Sequence, residues 1–505
     1  MRSFRLLPFL LLLFFGSAAH AQVDLTEEIA PYATLSDVKM QIYFLAADEF
    51  RGRDTGTSEI DIAGRYIATW FMTNGVQPFS ELEEYYQPVP FKRLFPPQEG
   101  EITIGDSVFV YNEQFLVLND ASVTELTAPV VLLEYGSEQE LAEADVEGKI
   151  VIVQPGVPGQ ASPQQWFMNV PNKNELLQKE GALAVIELYN HQTFPWAVLV
   201  NALSQASLTV DRPDDEGGNI PHIWINSTEG NLHQAFREMN EPASSISIVR
   251  EPAETVSSNN VIGYIEGSDP ELREEYLLLG AHYDHTGVVA GQAEGDYVYN
   301  GARDNAVGTA AIMLAARYFA ENPPRRSVIF AAWTAEEMGL LGSGWFANNP
   351  PLPLDRIIYH LNIDGAGYND TTKVTVIGLE RTEAEEDLRS AAASFGLEAI
   401  VDQMPEQNLF DRSDNVHFAR NGIPSPTYSL GITAFDEEIN HYYHTVEDEP
   451  DTIDYNYITS YIRSFILASR LIADAETAPF WREGDAYEEA GLQLYGLETE
   501  QTGDR

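Results

Sequence analysis

Beyond residue 260 the chain alternates apolar runs with helical stretches, and this alternation limits the fold more than any other feature. Tyr276-Leu277-Leu278-Leu279, Ser327 to Trp333 and Ile357 to Ile363 lack the polar alternation of a half-exposed strand. Such runs mark strands buried on both faces, as in a parallel sheet covered by helices. Between the first two runs lies an Ala-rich helical stretch, Ala306 to Phe319, which Asn322-Pro323-Pro324 stops. The expected fold class is α/β, with a mainly parallel mixed sheet sandwiched by helices.

Parallel sheets bind ligands beyond the carboxyl ends of their strands, so the residues that end each run matter most. The first run ends in Gly280-Ala281-His282-Tyr283-Asp284-His285, the second in Trp333-Thr334-Ala335-Glu336-Glu337, and the third in Asn362-Ile363-Asp364. Gly301-Ala302-Arg303-Asp304-Asn305 precedes the Ala-rich helix, and His441-Tyr442-Tyr443-His444-Thr445 comes late in the chain. Taken singly these are weak signals. An Asp-Asn pair before a helix reads as an N-cap, and a Glu-Glu pair reads as a solvated helix start. Together they would crowd acids onto one sheet edge, a costly arrangement that a pair of divalent cations relieves. In His282-x-Asp284 the carboxylate can orient the imidazole. In Glu336-Glu337 one carboxylate can bind metal while its neighbour moves a proton, as hydrolysis by a metal-activated water requires.

The chain has 505 residues and no cysteine, so disulfides and thiol catalysis are excluded and any metal site must use His, Asp and Glu. A formal charge of −49 disfavours nucleic acid and anionic lipid as partners. Residues 1–21 combine Arg2 and Arg5, an apolar run from Leu6 to Phe15 and Ala19-His20-Ala21, the pattern of a cleaved secretory signal. That run is too short for a membrane span, which needs about 20 residues. The expected location is therefore periplasmic or extracellular. The expected partners are peptides, with no nucleic acid and no membrane span.

Five segments follow from the texture of the sequence: 1–21 as signal, 22–94 as the amino-terminal part of the main domain, 95–250 as an inserted mostly-β module, 251–475 as the catalytic half, and 476–505 as an acidic tail of disordered composition. Ser36 and Ser58 are the expected starts of two early helices, which flank the polar loop Arg51-Gly52-Arg53-Asp54-Thr55-Gly56.

The stretches A-H-Y-D-H-T-G (281–287), N-G-A-R-D-N-A-V-G (300–308), T-A-E-E-M-G-L-L-G-S (334–343), L-N-I-D-G-A-G (361–367) and Y-Y-H-T (442–445) resemble, in order, the motifs of the two-zinc aminopeptidases of metallopeptidase family twenty-eight. That family also includes glutamate carboxypeptidase-like enzymes. L-A-A-D-E-F-R-G-R-D-T-G (45–56) is similar to its amino-terminal segment, and 95–250 is similar to the protease-associated domain inserted in such enzymes. The resemblance implies a zinc-exopeptidase fold of the phosphorylase/hydrolase-like kind and two zinc ions per chain. One zinc would take His282 and Asp364, the other Glu337 and His444, with Asp304 bridging. It further implies Glu336 as general base, Asp284 orienting His282, Tyr443 stabilising the tetrahedral intermediate and Arg412 positioning substrate. His285, His360, His417 and His441 receive no ligand role. Two departures stand out, Arg303-Asp304-Asn305 for D-D-N and Ser413-Asp414-Asn415 for S-D-H, and neither removes a ligand.

The expected activity is that of an exported exopeptidase, an aminopeptidase foremost. The rivals are a carboxypeptidase or dipeptidase with the same centre, a one-zinc glutaminyl cyclase, and a non-catalytic receptor ectodomain. A serine hydrolase lacks support, because Gly342-Ser343-Gly344 is not a G-x-S-x-G elbow.

Overall fold

A computed structural model describes residues 25–119, 121, 125–211, 219–239, 242–289 and 295–497. The signal segment lies outside them. Among the described residues no helix is long and apolar enough to cross a membrane.

The three apolar runs are strands, Tyr276–His282, Ser327–Trp333 and Ile357–Ile363. The first lies parallel between the other two, at the centre of a nine-stranded mixed sheet. Thr427–Leu430 extends the parallel set on one side, and Glu254–Ile265 is antiparallel on the other. Side chains alternate between faces, as the pleat requires. Leu277, Leu279 and Ala281 pack beneath the helices Val307–Glu321 and Tyr455–Asp474, while Leu278, Ile329 and Trp333 meet Phe346 and Phe418 on the opposite face. The sheet is thus covered on both sides, which is why its strands carry no polar alternation.

The second early helix opens at Ser58 as expected, whereas the first is capped by Thr34, two residues before Ser36. Thr34 caps Leu35–Leu45 through a reciprocal pair: its hydroxyl accepts the Asp37 N–H at 3.2 Å, and Asp37 accepts the Thr34 N–H at 3.1 Å. Thr57 caps Ser58–Thr73. Both threonines lie where the backbone is still extended, so the side-chain oxygen can reach back to the third helical N–H.

The stretch 95–250 is α/β rather than mostly β. It carries an eight-stranded sheet in which Glu125–Leu132, Ile150–Val153, Ala184–Tyr189 and His222–Asn226 run parallel. Parallel neighbours cannot be joined by tight turns, so helices such as Val170–Lys179 are needed as crossovers. One strand of this stretch, Ser207–Val210, leaves that sheet and pairs with Tyr86–Leu94 at the edge of the nine-stranded sheet. Within the acidic tail, residues 476–497 fold onto the catalytic half. Trp481 is 2 % exposed and donates to the Gly422 carbonyl at 2.8 Å. The helix Glu488–Tyr495 follows, and the Tyr495 hydroxyl donates to Ile357 O at 2.7 Å. The aromatic residues among the acids supply the burial that net charge alone conceals.

Arg53 ties the amino-terminal segment to this frame. Its loop takes left-handed backbone at Arg51, Gly52 and Arg53, and a Cβ on Gly52 would come within 2.2 Å of the Gly287 carbonyl oxygen. The close approach lets Arg53, 1 % exposed, donate to four carbonyls: Tyr283 O at 2.8 Å, Leu45 O at 2.6 Å, Asn300 O at 2.7 Å and Gly301 O at 3.0 Å. Burial lowers its pKa to about 10, while Asp284, Asp448, Asp304 and Glu337 favour the charged form. Arg53→Met removes the guanidinium donors from all four carbonyls, of which Gly301 O keeps the Ala306 N–H, and is expected to cost at least about 3 kcal/mol in urea unfolding. Arg53→Lys should recover only part of this, because an ammonium cannot span four carbonyls as the guanidinium fork does.

Candidate metal centre

All the residues singled out at strand ends converge on the carboxyl edge of the nine-stranded sheet. His282 is the last residue of its strand, Asp364 follows Ile357–Ile363, and Glu336 and Glu337 follow Ser327–Trp333 by a turn in which Ala335 has φ 57°. Asp304 immediately precedes the helix Val307–Glu321, and His444, with φ 54°, follows the helix Glu437–Tyr442.

Asp304 stands in the middle. Its Oδ1 lies 3.2 Å from His282 Nε2 and its Oδ2 lies 3.2 Å from His444 Nε2. Each histidine meets a further carboxylate: His282 Nε2 is 3.3 Å from Asp364 Oδ1, and His444 Nε2 is 3.1 Å from Glu337 Oε2. The cluster therefore has two lobes that share one carboxylate. His282, Glu336 and Asp364 bring ligand atoms within 4.8 Å of one another, and so do His285, Asp304, Glu337 and His444. His285, left without a ligand role by the sequence, stands inside the second group, with Nδ1 2.6 Å from Glu337 Oε1. Its place in the A-H-Y-D-H run, just past a strand end, was the available signal. His360 instead lies buried against Phe418 and half-buried His417 lies beside Gly344, and desolvation lowers their pKa values to about 3 and about 4.

Asp284 lies against both His282 and the Glu336-Glu337 turn. Its Oδ1 is 3.7 Å from His282 Nδ1, which lies nearer the Asp284 backbone carbonyl, at 3.2 Å. The carboxylate accepts the backbone N–H groups of Glu336 at 3.1 Å and Glu337 at 3.3 Å, together with the Thr55 hydroxyl at 3.3 Å. It thus fixes the turn that aims the two glutamates. On the other lobe Ser413 donates its hydroxyl to Asp364 Oδ2 at 2.5 Å.

The protons show how crowded the charges are. Burial opposes charge on His282, but Glu336 and Asp364 outweigh it and hold the imidazolium well above the ordinary histidine range. Burial likewise opposes charge on His444, and its bonds to Asp304 and Glu337 raise it to about 10. Burial and Asp304 push Glu337 up, and the hydrogen bonds of His285 and His444 bring it down to about 2. Glu336 has no such bond; burial, together with the charges of Asp364, Asp414 and Glu337, lifts it well above the carboxylate range despite His282. Imidazole nitrogens and carboxylate oxygens in two lobes around one shared carboxylate suit zinc or another first-row divalent ion.

A cavity of about 570 Å³ opens over the cluster. Tyr443 and Arg412 line it, as the sequence led one to expect, and Ile377, Leu409, Ile432 and Phe435 give it an apolar side. Met168, 66 % exposed at the end of the helix Pro163–Met168, also lines it. No sequence pattern pointed to Met168, because it comes from the 95–250 stretch.

Comparison with known proteins places this geometry. Residues 260–467 match peptidase family M28. Aminopeptidase YwaD of Bacillus subtilis is 25% identical over 333 residues, covering 65% of this chain and 63% of that protein. A glutamate carboxypeptidase 2 homolog of Caenorhabditis elegans is 32% identical over 156 residues, 29% of this chain and 18% of its own length. The chain thus spans less than two thirds of these curated relatives. The structure of an aminopeptidase from Aneurinibacillus sp. strain AM-1 shares the fold, with a TM-score of 0.58 and 21% identity over 89% of this chain and 96% of that one.

A divalent ion entering the cluster must displace the protons that His282 and His444 hold at neutral pH. Each displaced proton makes the binding constant rise about tenfold per pH unit. Zinc affinity is therefore expected to rise about ten- to a hundredfold per unit between pH 6 and 8, measured by competition with a chromophoric chelator.

Proposed function

We propose that the chain, whose residues 260–467 match peptidase family M28, is a zinc-dependent exopeptidase with two zinc ions, and foremost an aminopeptidase. The observation that carries this reading is the two-sided Asp304, with one oxygen toward His282 and the other toward His444. His282 and Asp364 would hold one ion, Glu337 and His444 the other, and Asp304 would face both. When bound, the ions supply Lewis acidity and lower the pKa of a water toward neutrality.

The remaining work falls to the side chains. Glu336 lines the cavity beside the ligands without sharing their histidine hydrogen bonds, so it is free to take the proton of the attacking water and pass it to the leaving amine. Asp284 keeps it aimed by holding its backbone N–H. Tyr443, whose hydroxyl burial keeps protonated, lies at the cavity wall and can donate to the oxyanion that develops on the scissile carbonyl. The apolar side formed by Ile377, Leu409, Ile432 and Phe435 suits an apolar terminal side chain.

Charge supports the amino end as the site of cleavage. The cavity presents Asp304, Glu336, Glu337, Asp364 and Asp411 against a single guanidinium, Arg412. A free ammonium complements such a wall better than a free carboxylate does. Arg412 is what favours the carboxypeptidase reading, and Asp411 beside it offsets that charge. A one-zinc cyclase leaves the second lobe without a purpose, and a non-catalytic ectodomain leaves Glu336 without one. Residues 1–21 support export of the mature chain.

Glu336→Gln keeps the shape and all the ligands, and is expected to lower kcat about 10²–10⁴-fold while retaining two zinc ions per chain by elemental analysis. The wild type should release single residues from free-amine peptides and spare amino-blocked ones. Cleavage of blocked peptides from the carboxyl end would instead establish the carboxypeptidase reading.

A further inference from the structure

We propose that Arg303 and Asp448 form a buried clamp that positions the two loops bearing Asp304 and His444, and thereby sets the affinity of the lobe those ligands share. The inference rests on the two-metal reading and extends it to residues outside the ligand set.

The clamp is dense. Arg303 is 2 % exposed and Asp448 is 1 % exposed. Arg303 Nη1 donates to Asp448 Oδ1 at 2.9 Å and to Thr452 Oγ1 at 2.8 Å, and Nη2 donates to Thr452 O at 2.9 Å. Asp448 Oδ2 accepts the backbone N–H of Arg303 at 2.9 Å and that of Asp304 at 3.2 Å. The Asp448 carbonyl takes the N–H of Ala302 at 3.1 Å. Three consecutive residues of the 302–304 loop are therefore held by one aspartate from the segment that follows His444.

The second attachment is a stack. The Arg303 guanidinium lies 3.7 Å from the centre of the Tyr442 ring, with Tyr368 at 5.3 Å. Tyr442 immediately precedes Tyr443 and His444. Arg303 thus grips the His444 loop on both sides, at Tyr442 and at Asp448 with Thr452, while its own backbone continues into Asp304. His444 and Asp304 must meet within 3.2 Å, and each comes from a different element with a left-handed or irregular backbone. No regular hydrogen-bond ladder fixes that distance, so the clamp does.

The sequence departure at this position follows from the same contacts. Where the related motif reads D-D-N, an acid at 303 would face the buried Asp448 with no cation between them, leaving two carboxylates opposed in the dry interior. Arg303 and Asp448 therefore belong together in this chain.

The test uses the full mature chain, stripped of metal and titrated with zinc against a competing chelator, with cobalt as a spectroscopic probe. Arg303→Met and Asp448→Asn are each expected to weaken the ion of the His444 lobe about 10–100-fold and to change the visible absorption of the corresponding cobalt equivalent. The ion of the His282 lobe should be weakened less, since only Asp304 is shared, and excess zinc should restore most of the turnover. The two effects should be strongly non-additive in the double variant, since either change opens the clamp. Should Arg303→Met fail to fold, Arg303→Lys and Asp448→Asn carry the same reading, and Arg303→Lys is expected to restore affinity only in part. Wild-type affinity for both ions in folded variants would overturn the clamp. Binding of a single ion by the wild type would instead overturn the two-metal reading on which the clamp rests.

Discussion

The structure is organised around one cost, the gathering of carboxylates in a dry place. Asp284, Asp304, Glu336, Glu337, Asp364 and Asp414 all approach the carboxyl edge of the sheet, and Asp414 is fully buried, its carboxyl pushed up to about 7 by burial despite His282 nearby. Isolated anions in such surroundings are prohibitively costly, so each needs a proton, a cation or a set of N–H donors. The protein supplies all three. His282 and His444 hold protons against the carboxylates, His285 lies within hydrogen-bond distance of Glu337, Arg53 and Arg303 bring positive charge, and backbone N–H groups of the Glu336-Glu337 turn satisfy Asp284. The helix Val307–Glu321 begins just after Asp304, so its amino-terminal dipole adds favourable potential. A pair of divalent ions would complete this compensation rather than create it.

That cost also explains the local backbone. Left-handed conformation at the non-glycine residues Ala335, Leu340 and His444 is concentrated in the loops that deliver the glutamates and the second histidine. Such conformations persist only where the surroundings over-determine them. Here the surroundings are the hydrogen bonds of Asp284 to the Glu336-Glu337 turn and the stack of Arg303 on Tyr442 beside His444.

How much of this was legible depended on whether the signal was local. The central strands could be read because burial on both faces removes every polar residue from Leu277 to Ala281 and from Val328 to Trp333. The proposed ligands could be singled out because strand ends in a parallel sheet share one edge, so order along the chain becomes proximity in space. His285, taken as structural or as a partner behind the ligands, lies beside Glu337. Met168 carried none, and neither did the pairing of Arg303 with Asp448, because each depends on contacts between segments far apart in sequence. The α/β character of 95–250 was hidden for a different reason. Short runs such as Ile150–Val153 suit parallel and antiparallel pairing equally, and only the crossover helices distinguish the two. In the tail, acids dominated the composition while Trp481 and Tyr495 determined the fold.

The matched segment 260–467 holds every proposed ligand, yet it is not the unit that builds the site. Arg53 from the amino-terminal loop supports the carbonyls of Tyr283, Asn300 and Gly301, which flank His282 and Asp304. Met168 reaches the cavity from the second sheet, whose stretch is itself stitched to the first by Ser207–Val210 along Tyr86–Leu94. That edge pairing gives the second sheet a backbone attachment to the catalytic one. Met168 thus gives the cavity a wall from the 95–250 stretch, although every proposed ligand comes from the other sheet.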